Sequence, residues 1–169
     1  KKSFRKVDIS VPGDPSNAAF FTTLTLLSKN SKLIIKKVCL NSRRIGFYEI
    51  LKKNGAKIKF INRKKINNEY VADIQVKSSN IKSFNAGPEL YSKATDEYPI
   101  LFIIAALING KSTFNGIGEL ANKESNRITE MKKILLQAKI KCKSAQSKMT
   151  IYGKKNKSFN NLKIRSEEH

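Results

Sequence analysis

The sequence predicts an α/β fold made of two copies of an α-β-α-β-β unit, with helices buried inside and sheets outside. Three observations predict it: a repeat at a spacing of 82 residues, two segments with a helical period, and two apolar segments that contain no charge. The 169-residue chain is 40% hydrophobic, which is enough to form a core and argues against wholesale disorder. We place the first unit at about residues 8–78 and the second at about 90–153.

The first element of each unit is an apolar helix. Asp14-Pro15-Ser16-Asn17 precedes Ala18–Leu27, and Asp96-Glu97-Tyr98-Pro99 precedes Ile100–Ile108. Neither apolar segment has a face suited to solvent, so both helices are predicted to be buried on all sides. Two such helices imply an inside-out, barrel-like arrangement, the inverse of the usual α/β layering in which helices cover a buried sheet.

A strand and an amphipathic helix come next in each unit. The strands are Leu33–Val38 and Ser112–Asn115, and the helices are Arg44–Asn54 and Glu124–Gln137. Apolar residues recur at helical spacing in both helices. They are Ile45, Tyr48 and Leu51 in the first copy, and Ile128, Met131, Ile134 and Leu135 in the second.

Two further strands complete each unit. Ala56-Lys57-Ile58-Lys59 and Ala138-Lys139-Ile140-Lys141 are also 82 residues apart and predict the second strand. Val71–Val76 and Lys148–Tyr152 predict the third strand. The repeat therefore extends through the whole unit.

The net charge is +21, from 34 Lys and Arg residues against 13 Asp and Glu residues. Only six of the basic residues are arginines, the residue type on which specific nucleic-acid recognition depends most. The sequence is also rich in Ile and Asn, so a compositional bias explains the charge better than selection for an anionic partner. Nucleic acid is not expected as a partner.

Cysteine and histidine content limits the chemistry. Cys39 and Cys142 are far apart in the sequence, which favours two reduced thiols over a single disulfide and suits a cytoplasmic protein. The lone histidine, His169, argues against a zinc site and against triads with an internal histidine base. No apolar run approaches the ~18–20 residues of a spanning helix, so we expect no membrane segment.

Two polar segments are candidates for a functional site. Asp14 is predicted to cap its helix, with Ser16 in reserve, whereas Asp96 beside Glu97 is consistent with either a cap or a functional carboxylate. Residues 119–127 contain Lys123, Glu124 and Arg127, which share one face if they lie in a first helical turn. One interpretation is a solvated helix start capped by Asn122 or Ser125. The other is a site that binds an anion and moves a proton.

Four segments, Val11–Phe20, Leu40–Gly46, Asp96–Leu101 and Lys123–Ile128, resemble motifs of one family, the 5-enolpyruvylshikimate-3-phosphate (EPSP) synthases. They occur in the right order, and the resemblance spans roughly residues 6–155. The sequence departs from the family at a few positions. Ala121-Asn122 stands where the family usually has Arg-Val, Asn126 replaces an aspartate, and Asn17 replaces a serine.

The resemblance implies a fold of two domains, each with three units, of which this chain has two units of one domain. It implies transfer of the enolpyruvyl group of phosphoenolpyruvate to the 5-hydroxyl of shikimate 3-phosphate, with release of phosphate, in the shikimate pathway of aromatic amino-acid biosynthesis. No metal or organic cofactor is expected. The implied partners are the two substrates and the missing domain, and the chain alone is expected to be inactive.

The resemblance also implies roles for four residues. Asp96 binds the shikimate hydroxyls and is a candidate base, and Lys123 hydrogen-bonds the same substrate. Glu124 moves a proton at the phosphoenolpyruvate methylene, and Arg127 clamps the phosphoenolpyruvate carboxylate. Asp96 and Glu124 are thus the candidate catalytic residues, and all four are candidates for substrate binding.

Two alternatives remain at this point. One is an enolpyruvyltransferase that acts on a nucleotide sugar, although the Lys123–Arg127 motif points away from it. The other is a basic nucleic-acid-binding module, which the net charge alone supports. The phenylalanines lie mainly in apolar runs rather than among arginines, so this second signal is weak.

Overall fold

A computed structural model describes residues 9–155 of the chain. The five helices in this part are α1 (Pro15–Leu27), α2 (Gly46–Lys53), α3 (Tyr91–Ala94), α4 (Tyr98–Leu107) and α5 (Arg127–Gln137). The seven strands are β1 (Lys32–Cys39), β2 (Lys57–Ile66), β3 (Glu69–Lys77), β4 (Asn85–Ala86), β5 (Gly110–Asn115), β6 (Lys141–Ala145) and β7 (Lys148–Gly153). Short 3₁₀ turns span Pro88–Leu90 and Gly118–Asn122.

The strands form two sheets with related topology. The first sheet has the order β1-β3-β2 and is antiparallel. The second has the order β4-β5-β7-β6, in which β5, β7 and β6 are antiparallel and the short β4 lies parallel to β5. In each sheet the last strand along the chain lies between the two that precede it. The predicted order of helix, strand, helix, strand and strand occurs in both halves.

One predicted strand begins later than expected. Residues 138–140 form the turn that closes the C-terminal end of α5, in which the N–H of Ile140 donates to the carbonyl of Leu135. Lys139 has a φ of 54°, a left-handed conformation that interrupts an extended strand. Strand β6 therefore starts at Lys141 rather than at Ala138.

The two apolar helices differ in burial. Seven of the ten residues of α4 are buried, as predicted. Helix α1 packs against β1, β3 and α4, but Phe20, Phe21 and Leu24 are 63%, 61% and 65% exposed. We call these three residues the apolar α1 face. The prediction that α1 is buried on all sides is wrong, because residues 9–155 place no element over this face.

An aromatic cluster anchors α4 to the second sheet. The rings of Phe102 and Phe114 are 4.7 Å apart and edge to face, and Tyr98 and Phe84 also contact Phe114 in this way. Such pairs contribute about 0.5–1.5 kcal/mol each beyond their buried area. The N-terminal end of α4 is therefore held firmly by its own side chains.

Two predictions about composition can be compared with the structure. Cys39 and Cys142 are free thiols, as predicted. Within residues 9–155, no helix is both long enough and apolar enough to cross a membrane.

Candidate active site at two helix N-termini

The N-terminal ends of α4 and α5 meet at one place on the surface. The guanidinium of Arg127 donates through Nη1 to Asp96 Oδ1 at 3.4 Å and through Nη2 to Glu124 Oε2 at 3.2 Å. One cation thus bridges two carboxylates from different segments. The structure brings together three of the four residues that the sequence singled out, and Lys123 adjoins Glu124 in the chain.

Asp96 is not a helix cap. Helix α4 begins at Tyr98 with Glu97 at the cap position, and no side chain accepts a capping bond there. By contrast, Asp14 caps α1, as predicted, because its Oδ2 accepts from the N–H of Asn17 at 3.1 Å. The side chain of Asp96 is 61% exposed and is bound by the Arg127 guanidinium. Capping therefore does not explain a carboxylate at position 96.

The start of α5 also differs from the prediction. The helix begins at Arg127, and Asn126 Oδ1 caps it by accepting from the N–H of Thr129 at 3.0 Å. The predicted caps, Asn122 and Ser125, are wrong, because Asn122 ends a 3₁₀ turn and Ser125 lies in an irregular bend. Glu124 therefore meets Arg127 from this bend rather than from one face of a helical turn.

Glu124 is held as a carboxylate. A hydrogen bond from its own backbone N–H lowers its pKa most, and the positive charges of Arg127 and Lys123 lower the pKa further. Among the described residues, Lys123 forms no ion pair of its own. Its ammonium is therefore available to an anion at this end of α5.

A polar network behind the site was not predicted from the sequence. The Ser16 hydroxyl donates to the Glu97 carboxylate, which joins the start of α1 to the start of α4. Arg44 donates to Asp14 Oδ1 at 2.7 Å and to Ser16 Oγ at 3.2 Å. Glu97 is only 4% exposed, and burial raises its pKa. The one signal in the sequence was that Ser16, Arg44 and Glu97 each lie in one of the segments that resemble family motifs.

This arrangement suits reactions of anionic substrates. Two helix N-termini and the cations Lys123 and Arg127 attract anions, while Asp96 and Glu124 are groups that accept or donate protons. Among residues 9–155, no group of histidines, cysteines and carboxylates is arranged to hold a metal ion. Within an α/β fold, this cluster is chemically suited to binding an anion and to moving a proton.

Comparison with known proteins gives the family. The family profile described as EPSP synthase (3-phosphoshikimate 1-carboxyvinyltransferase) matches residues 1–168. A 3-phosphoshikimate 1-carboxyvinyltransferase of Zymomonas mobilis is 46% identical over 123 residues, which are 73% of this chain and 27% of the relative. The Clostridium tetani protein of the same name is 34% identical over 164 residues, which are 97% of this chain and 37% of that relative.

Solved structures agree with the sequence comparison. The EPSP synthase of Acinetobacter baumannii superposes with a TM-score of 0.84 at 35% identity, covering 88% of this chain and 34% of that one. The chain belongs to the EPSP synthase family. It spans about a third of the length of these relatives. The names of these relatives do not favour either alternative from the sequence analysis, a nucleotide-sugar enolpyruvyltransferase or a nucleic-acid-binding module.

Proposed function

We propose that this chain is part of an enzyme that transfers the enolpyruvyl group of phosphoenolpyruvate to the 5-hydroxyl of shikimate 3-phosphate, releasing phosphate. The observation that carries the proposal is the Arg127 guanidinium between the carboxylates of Asp96 and Glu124. Since the chain spans about a third of its relatives, the activity belongs to the whole enzyme.

The residues divide the chemistry between them. Asp96 takes the proton of the 5-hydroxyl while the hydroxyl oxygen bonds to C2 of phosphoenolpyruvate, and Glu124 gives a proton to the methylene carbon. Glu124 then takes a proton back from the new methyl group, which expels phosphate and restores the double bond. Lys123 hydrogen-bonds shikimate 3-phosphate, and Arg127 holds the carboxylate of phosphoenolpyruvate.

Substrate binding prepares Glu124 for this step. In the chain alone, Arg127 is one of the groups that keep the pKa of Glu124 low. When the substrate carboxylate occupies the guanidinium, this favourable interaction weakens and a negative charge arrives nearby. Both changes raise the pKa of Glu124 toward that of a proton donor.

The same proposal extends to architecture and surroundings. Units at about residues 8–78 and 90–153 form two of three units in an inside-out domain, and the third unit covers the apolar α1 face. Exposed Phe20 and Phe21 on a helix without charged residues support this arrangement. The enzyme is expected to work in the cytoplasm without a metal or organic cofactor, and closure of a second domain completes the site.

Phosphate release from the two substrates tests the proposal. The full-length protein that contains this segment should release phosphate only when both substrates are present, and Glu124→Ala should abolish the release. Glu130→Ala is the matched control, because Glu130 lies in the first turn of α5 but pairs with Lys133 at 2.7 Å. Equal activity of the two variants, or activity of the 169-residue chain above that of its Glu124→Ala variant, would contradict the proposal.

A further inference from the structure

A basic groove lies on the first sheet, and none of its lining residues belongs to the cluster around Arg127. We call it the β2–β3 groove and define it by Lys52, Phe60, Arg63, Lys65 and Tyr70. Its volume is about 690 Å³, within the ~300–1,000 Å³ typical of small-molecule sites. Its other lining residues include the apolar Leu40, Ile45 and Val71.

A β-bulge builds this groove. Phe60 pairs with Ile74 and Lys65 pairs with Tyr70, so five residue steps on β2 lie opposite four on β3. Because side chains alternate between faces, Phe60 and Lys65 would point to opposite sides of a regular strand. The bulge adds one residue at Asn62, whose φ is 53°, and brings both side chains to one face.

Asp73 holds the bulge in place. Its Oδ2 accepts from the Asn62 side-chain amide at 2.8 Å, and its Oδ1 accepts from the N–H of Lys37 at 2.9 Å. Lys37, with a φ of 55°, lies in the irregular segment of β1. These two hydrogen bonds, the Asn62 bond first, lower the pKa of Asp73. One carboxylate therefore fixes both irregular segments.

Three cations, one from α2 and two from β2, lie over two aromatic rings at the groove. Lys52 Nζ lies 5.0 Å and the Arg63 guanidinium carbon 5.6 Å from the centre of the Phe60 ring. Lys65 Nζ lies 5.8 Å from the centre of the Tyr70 ring. Within residues 9–155 none of these three cations is in an ion pair. Each aromatic ring thus attracts the neighbouring cations to the groove, and because the ring is neutral the cations keep their net charge.

The groove is richer in cations than the chain as a whole. Four of the ten lining residues are Lys or Arg, against 34 of 169 in the whole chain, which is about twice the frequency. The one acidic lining residue, Glu49, is 3.9 Å from Lys93. A cleft lined by charges of one sign concentrates its field on a bound counter-ion.

We propose that the β2–β3 groove binds the polyphosphate group of a small molecule. A nucleoside triphosphate is the class of ligand that would contact both the cations and the aromatic ring of Tyr70. Adjacent phosphates match several cations held close together, and Arg63 supplies a planar donor pair. The Tyr70 ring is 63% exposed and offers a surface on which a base stacks. None of the groove's lining residues has a role in the proposed transferase chemistry, so this proposal does not rest on that one.

Calorimetric titration of the 169-residue chain tests the proposal, with ATP and inorganic tripolyphosphate as probes at physiological ionic strength. Both should bind saturably with one site. Replacing Arg63 and Lys65 together by Ala should weaken binding by about tenfold or more, as expected for lost charge-assisted hydrogen bonds. If a nucleotide is the ligand, Tyr70→Ala should weaken the binding of ATP but not that of tripolyphosphate. If free polyphosphate is the ligand, Tyr70→Ala should weaken the binding of neither probe. Both results support the polyphosphate site.

Two further variants separate a built site from general attraction to a basic chain. Lys141→Ala is the matched control, because Lys141 Nζ also lies over a ring, 5.2 Å from that of Tyr152 on the second sheet. Asp73→Ala removes a negative charge but releases the bulge, so the proposal predicts weaker binding. General attraction predicts equal or tighter binding. Absence of saturable binding, equal weakening by Lys141→Ala, or equal or tighter binding by a folded Asp73→Ala chain would overturn the proposal.

Discussion

Asp14 and Asp96 occupy equivalent positions in the two repeats, yet the structure gives them different roles. Asp14 caps α1 and pairs with Arg44 at 2.7 Å, whereas Asp96 contacts Arg127 at 3.4 Å and caps nothing. Replacing each by Ala should therefore affect different properties. Asp14→Ala should lower stability and leave turnover near that of the wild type. Asp96→Ala should leave stability near that of the wild type and lower turnover.

The contacts set the magnitudes. Loss of the Asp14 cap lowers the free energy of unfolding by about 1 kcal/mol. Loss of its partly exposed ion pair lowers it by about 1 kcal/mol more at most, so the total is about 1–2 kcal/mol. The longer, exposed contact of Asp96 is worth about 0.5 kcal/mol or less. Loss of a general base lowers turnover by about 10²–10⁴-fold.

Thermal unfolding of the 169-residue chain and steady-state kinetics of the full-length enzyme measure the two effects. A chain of this size shifts its Tm by about 2–4 °C for each kcal/mol. Asp14→Ala should thus melt several degrees lower, and Asp96→Ala should stay close to the wild type. The reasoning is refuted if Asp96→Ala melts as low as Asp14→Ala and the full-length Asp96→Ala enzyme keeps its turnover.

Three further predictions concern packing and pH. Phe102→Ala, at a fully buried site, should lower the free energy of unfolding by about 3–5 kcal/mol in a urea titration. Phe21→Ser, on the apolar α1 face, should change it by about 0.5 kcal/mol or less and should reduce self-association in sedimentation experiments; a large loss of stability would show that the face is covered. Burial raises the pKa of Glu97 above the ordinary 4.5, so the folded chain binds its proton more tightly than the unfolded chain. Its stabilising contribution is full below pH 4.5 and is lost as the pH rises through the raised pKa; Glu97→Gln should remove this loss in pH-dependent melting, and an unchanged profile would contradict it.

Local patterns predicted most of the fold. The order of elements in both repeats follows from hydrophobic periodicity, and the Asp14 cap follows from a side chain three residues before the N–H that it binds. The candidate site residues came from motifs, and three of the four lie together. The predicted caps of α5 were wrong, because the choice among neighbouring Asn and Ser residues depends on where the backbone turns.

The sequence by itself determined the α/β class and the charge-free character of α1 and α4, since these depend on residues close together in the chain. It also determined the repeat, which is visible from comparing two stretches of sequence and needs no contact between them. Only the tertiary structure decided that Arg127 reaches Asp96, that Ser16 meets Glu97, and that α1 exposes an apolar face. These contacts join segments up to 81 residues apart, and their geometry depends on how helices and sheets pack. Hydrophobic periodicity shows which side chains are apolar and tend to be buried, whereas the packing of the elements determines whether a neighbour covers them and which one.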